Sequence, residues 1–214
     1  MRKFLPLLLL SLVWSCKNNS GQETITNTDL AASGDISGLI YPEETHFKSL
    51  RQVTFGGDNA EAYWSFDDQQ LVFQSNYSDW GVGCDQMFLM DADQEFSTTQ
   101  PPMISTGQGR TTCAYFLPDN THFVYASTHL ADENCPEVPL RKNGNYVWPV
   151  YDSFDIFVSD LEGNITGQLT NQPGYDAEAT VSPKGDKIVF TSTRSGDLEL
   201  YTMNIDGSEV TQIT

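Results

Sequence analysis

Basic residues and histidine are scarce in this sequence. Only 11 Lys and Arg stand against 29 Asp and Glu, a formal net charge of −18 at pH 7. Repulsion on that scale excludes nucleic acid and anionic lipid surfaces as partners. The three histidines, His46, His122 and His129, fall on different segments, and no GxSxG elbow, HExxH, Walker loop or GxGxxG occurs. No catalytic triad can be assembled from them. The four cysteines include no CxxC pair, and His129 has no second histidine beside it, which argues against a metal site on Cys84, Cys113 and Cys135. The apolar run Phe4 to Val13 is too short to span a bilayer.

What the chain does have is repetition. Gly57 to Ser75 returns as Gly174 to Ser192, and a diverged copy runs from Gly109 to Ser127. Each copy joins an apolar or aromatic run (Ala62 to Trp64, Ala114 to Phe116, Ala179 to Val181) to a β-branched and aromatic run (Leu71 to Phe73, Phe123 to Tyr125, Ile188 to Phe190). A turn rich in Pro, Asp, Asn and Gly lies between them, the signature of two strands and a tight turn. A third run follows in each unit: Met87 to Met90, Ile156 to Val158, and Leu200 to Met203. Short fourth strands are expected at Gln52 to Thr54, Met103 to Ser105, Gln168 to Thr170 and Gln212 to Thr214. Small antiparallel sheets repeated at this period are propeller blades.

The run of L-T, D-A-E-A, S-P-x-G-x-x-I-V-F-x-S-x-R-x-G and M-N-x-D-G resembles the TolB-like β-propeller repeat, from about residue 50 to 214. The match is close in the third unit and loosest in the second, where Cys113 replaces the acidic residue and Leu117 the turn serine. The resemblance implies an all-β fold with about three four-stranded blades at 46–214, half of a six-bladed ring, in a chain that stops at a repeat boundary. Three blades alone cannot close a ring; if the chain is complete, a homodimer could close it. The same repeats occur in prolyl-oligopeptidase-type serine peptidases and in other exported proteins, so the fold does not choose among functions.

Arg2 and Lys3, the apolar run and Leu12-Val13-Trp14-Ser15-Cys16 resemble a bacterial lipoprotein signal over residues 1–16, with Cys16 as the lipidated residue. An ordinary secretory signal is the alternative. Residues 17–45 read as a polar tether. The absence of an acidic residue after Cys16 suggests the outer membrane by the enteric sorting rule. The membrane would be engaged by the lipid anchor only.

Candidate functional residues gather on one rim. Asn59 and Glu61 enter the first strand of unit one, and Asp176 and Glu178 that of unit three, directed towards the mouth of the central channel. They suit a basic peptide terminus or a divalent cation, and no other cofactor is expected. Their structural alternative is turn capping. A long insertion, Thr128 to Asp152, carries Tyr146, Trp148 and Tyr151 as an aromatic shelf for a peptide or sugar, with Arg141 and Lys142 as basic contacts. Alternatively these rings fold down on the blade, and Tyr77 and Trp80 extend either arrangement. Export favours a disulfide, expected as Cys84 to Cys113, with Cys135 as the alternative partner.

The reading is an exported, membrane-anchored, non-catalytic propeller that binds an envelope protein or peptide. Two alternatives are the propeller of a prolyl-oligopeptidase-type serine peptidase and a carbohydrate-binding or carbohydrate-active propeller.

Overall fold

Serine hydroxyls start the folding logic of the first and third hairpins. Ser65 Oγ accepts from the amides of Gln69 (3.1 Å) and Gln70 (2.9 Å), and Ser182 Oγ from those of Asp186 (3.3 Å) and Lys187 (3.4 Å). In unit two, where Leu117 takes that place, Asp119 Oδ1 does the work instead, accepting from Thr121 (2.8 Å) and His122 (2.9 Å). A tight turn therefore survives the loss of the serine.

A computed structural model of the chain describes residues 40–47, 50–93, 99–140, 143–145 and 147–214. Three antiparallel sheets follow one another. The first contains β1 (Asn59–Trp64), β2 (Gln70–Ser75) and β3 (Gln86–Asp91). The second contains β4 (Thr111–Phe116), β5 (His122–Ser127), β6 (Asp155–Asp160) and β7 (Ile165–Gln168). The third contains β8 (Asp176–Val181), β9 (Lys187–Ser192), β10 (Glu199–Asn204) and β11 (Thr211–Gln212). Each is a blade, with strands in sequence order.

The first strands start three residues before the expected apolar runs. Each contains a bulge, in which residues 61–62 oppose Phe73, 113–114 oppose Tyr125, and 178–179 oppose Phe190. The first bulge residue has a left-handed backbone every time: Glu61 at φ 51°, Cys113 at 52° and Glu178 at 58°. The bulge breaks the period-two alternation, which hides the front half of the strand from a pattern search.

The fourth strands are short and displaced from the expected runs: β7 ends at Gln168, where its run was expected to begin, and β11 takes in only Gln212 of the run expected at 212–214. In the first sheet the position is one bridge, Met103 to Phe88. A hydroxyl compensates for the missing ladder: Ser105, Thr170 and Thr214 accept from the third-strand amides of Met87 (3.0 Å), Ile156 (2.9 Å) and Leu200 (2.8 Å). Gln52–Thr54 forms no strand, although its Gln-to-Thr contact (2.8 Å) repeats those at 168–170 (2.9 Å) and 212–214 (2.7 Å). Its local shape is intrinsic, but a ladder needs a third strand alongside, and among the described residues none lies there.

The core lies between the sheets. In β5, Phe123 and Tyr125 pack towards the first sheet with Val72, Met87 and Leu89, while Val124 and Ala126 pack towards the third with Ala177, Ile188 and Phe190. The middle sheet is thus buried on both faces. Backbone bonds also link neighbouring blades, from Thr111 to the Asp85 carbonyl and from Asp176 to that of Phe154, both at 3.0 Å. These bonds fix the starts of β4 and β8 on one rim.

Candidate functional site

The bulges set the inner edge of that rim. Glu61 Oε2 accepts from the Tyr63 hydroxyl, and Glu178 Oε1 from the Tyr175 hydroxyl, each at 2.8 Å. The bond to Glu61 and then burial push Tyr63 up to about 12. Burial, then Glu178, push Tyr175 up further, while Trp148 bonding to the same hydroxyl pulls the other way. Burial drives the Cys113 thiol from the ordinary 9.0 to about 12, with Glu61 and Glu178 adding to the rise. The thiol at the middle bulge therefore senses the carboxylates at the two equivalent positions.

Asn59 and Asp176 behave differently. The Asn59 amide donates to the Gly56 carbonyl at 2.9 Å and caps its own turn. Asp176 is 2% exposed and pairs with Arg194 at 2.9 Å, while the guanidinium lies 5.1 Å from the Phe190 ring and 5.0 Å from the Tyr201 ring. Both side chains are engaged within their own units, leaving Glu61 and Glu178 as the carboxylates of the inner rim.

A cavity of about 460 Å³ opens beside Glu61 and Tyr175, the residue that holds Glu178. One side is polar, with Asp58, Glu61, Asn76, Asp85, Arg110 and Thr112; the other is Val138, Trp148, Pro149, Tyr151, Phe154 and Tyr175. The volume is in the range of ligand sites, about 300–1,000 Å³. Arg110 and Asp85 form an ion pair. Burial raises the Asp85 carboxyl, Arg110 offsets part of that rise and Asp58 adds to it. On the aromatic side, Tyr151 lies 6.0 Å from Phe154, which meets Tyr175 edge-on at 5.6 Å, and the Tyr151 hydroxyl donates to the Glu137 carbonyl at 2.8 Å. The insertion thus forms a wall, with Trp148 58% exposed at its lip.

A disulfide between Cys84 and Cys135, Cα atoms 5.9 Å apart, ties this insertion to the first blade. That corrects the expected Cys84 to Cys113 pairing. Cys113 lies inside β4 at the bulge and remains a buried free thiol bonded to Thr112 at 3.1 Å, whereas the insertion folds back to bring Cys135 to Cys84.

Tyr77 and Trp80 take the covering role. Trp80 packs on Phe73 (6.4 Å) and Phe88 (4.9 Å), and Tyr77 sits 5.3 Å from Trp80 and against Gly56 and Gly57. His122 pairs with Asp119 at 2.8 Å on the opposite rim, and His129 Nδ1 meets Ser127 Oγ at 2.9 Å. Among the described residues no three His, Cys, Asp or Glu side chains are placed to hold a metal ion. Cys16, Arg141, Lys142 and Tyr146 lie outside the described residues.

The sequence reading passed over Asp58, Arg110 and Tyr175, yet a signal was present. Each follows the glycine that opens a repeat (Gly57, Gly109, Gly174), and all three line the cavity. The position changes from acid to base to aromatic across three equivalent units, and each side chain is held differently: Asp58 by Asn76, Arg110 by Asp85, and Tyr175 in the core between the second and third blades.

No protein-family model matches the chain. An uncharacterized protein of Agrobacterium fabrum is 34% identical over 61 residues, 28% of this chain and 21% of the relative. The Tol-Pal system protein TolB of Bordetella pertussis is 38% identical over 52 residues, 24% of this chain and 12% of that protein. TolB from Acinetobacter baumannii superposes with a TM-score of 0.56 at 19% identity, covering 79% of this chain and 36% of that one. A TolB candidate from Agrobacterium tumefaciens gives 0.52 at 20% identity, covering 76% and 48%. The fold is that of a TolB-type β-propeller. The chain spans less than half the length of each of these relatives. In this TolB-type array the cavity lies on the rim where β4 and β8 begin, walled by the insertion of the second blade.

Proposed function

We propose that this chain acts as an exported, membrane-anchored, non-catalytic propeller that captures a protein or peptide partner in the bacterial cell envelope. The observation that carries this reading is the rim cavity, in which an aromatic wall from the insertion faces a charged floor from the first two blades. The relay from Trp148 through the Tyr175 hydroxyl to Glu178 joins that wall to the inner rim. Long loops on rigid scaffolds are where recognition concentrates. The signal-like residues 1–16 support export, with Cys16 as the anchor, and the Bordetella relative is itself a Tol-Pal system protein.

Affinity capture from detergent-extracted envelopes tests the reading. Trp148→Ala and Glu178→Ala are each expected to deplete a specific partner from the captured set. If neither substitution, nor deletion of 132–150, changes that set, the rim is not the binding surface.

A further inference from the structure

The two sides of the rim cavity specify a ligand chemistry. Among its described lining residues, Asp58, Glu61 and Asp85 contribute three carboxylates and Arg110 one guanidinium. The ion pair with Asp85 engages that guanidinium through Nη1, and its Nε is buried away from the cavity's solvent without a partner among the described residues, so one guanidinium stands against three carboxylates. Asp58 and Glu61 are exposed carboxylates lining the same cavity as Trp148 and Tyr151. An anion meets repulsion on the floor. A neutral apolar group fits the wall but strips water from the carboxylates without replacing it. An ammonium on an aliphatic stem satisfies both sides, with its charge on the carboxylates and over the indole face and its methylenes along the aromatic wall.

Glu61 is held ready for this. The Tyr63 hydroxyl donates to Oε2 at 2.8 Å, which leaves Oε1 for a ligand, and the bulge fixes the backbone beneath it. Asp58 is held by a bond from the Asn76 side-chain amide to Oδ2 at 3.3 Å. The disulfide holds wall and floor together, because Cys84 directly precedes Asp85 and Cys135 belongs to the insertion that carries Val138, Trp148 and Tyr151. Cys135 is exposed, so a reductant reaches it.

We propose that the cavity takes a primary ammonium on an aliphatic stem, the side chain of a lysine on the captured partner. This rests on the binding reading above and narrows it to one chemistry.

Calorimetric titration of the full chain tests it, using capped tetrapeptides that differ only in one central residue: lysine, norleucine or glutamate. The lysine peptide is expected to bind about tenfold more tightly than the norleucine peptide, and the glutamate peptide more weakly than either. Glu61→Gln keeps the side chain's shape and is expected to shrink the lysine preference to about twofold, a change that a merely structural role would not produce. Reduction of the disulfide is expected to weaken the lysine peptide by about fivefold, since a loosened wall must be ordered on binding. A lysine peptide that binds more tightly than cadaverine supports a protein-borne lysine, and cadaverine binding as tightly as the peptide would overturn that source and leave only the ammonium chemistry. Equal binding of lysine and norleucine peptides overturns it, as does no heat from the lysine peptide at millimolar concentration, or binding of a neutral oligosaccharide in its place. If the ammonium preference is absent while Trp148→Ala still depletes the captured partner, the chemistry fails and the binding reading stands. If capture is also unchanged, both fail.

Discussion

Cys113 shows how one residue records its surroundings. It sits at the bulge of β4, 8% exposed, and burial pushes its thiol up to about 12, with the carboxylates at the two equivalent positions adding to the rise. A folded-state value above the unfolded one means that the fold favours the protonated thiol. The resulting stability is complete below about pH 9 and is lost as pH rises through the folded value. Tyr63 and Tyr125, also pushed up to about 12, act in the same direction. Denaturant midpoints measured between about pH 8 and about pH 11 are therefore expected to fall, and native Cys113 should resist iodoacetamide at the lower pH. Prompt labelling of the native protein, or a midpoint that rises with pH, would contradict this placement. The sequence marked Cys113 as a departure from the acidic position but not its fate as a free thiol. Pairing depends on where the insertion folds back, and no local pattern encodes that path.

At the scale of elements, the second strands were the most legible part of the chain. Leu71 to Phe73, Phe123 to Tyr125 and Ile188 to Phe190 keep their register because their side chains alternate between faces that pack: both faces are buried at Val72 and Phe73 and at Phe123 to Tyr125, while in the third blade Ile188 and Phe190 are buried and Val189 is half-buried. Phe73, Tyr125 and Phe190, 2%, 0% and 1% exposed, each stand opposite a bulge. Phe190→Ala is expected to cost about 3–5 kcal/mol in urea denaturation, through lost burial and the cavity left behind. A loss below about 1 kcal/mol would put the strand out of register by one residue. The first strands were read only in part. Their opening residues look like turn formers, and the left-handed residue in each bulge is an acid or a cysteine where glycine would have been the obvious marker.

At the scale of the molecule, the repeat announced blades stacked face to face, because each copy contains one complete set of strand and turn signals. The candidate site was harder to read. Its acidic floor comes from the ends of β1 and β2 and the segments preceding β3 and β4, while Val138, Trp148, Pro149 and Tyr151 of its wall come from a loop outside the repeat. Trp148, Tyr151 and Glu61 were visible as candidates, but the cavity exists only because neighbouring blades bring Asp58, Arg110 and Tyr175 to one rim. Recognition on that rim is the central claim. Site-specific photo-cross-linking in growing cells tests it most directly, with the photoreactive residue placed either at position 138, exposed on the cavity wall, or at 184, an exposed position on the β8–β9 turn of the opposite rim. The account predicts one discrete cross-linked partner from position 138 and none from 184. A partner seen only from 184, or equally from both, would contradict it.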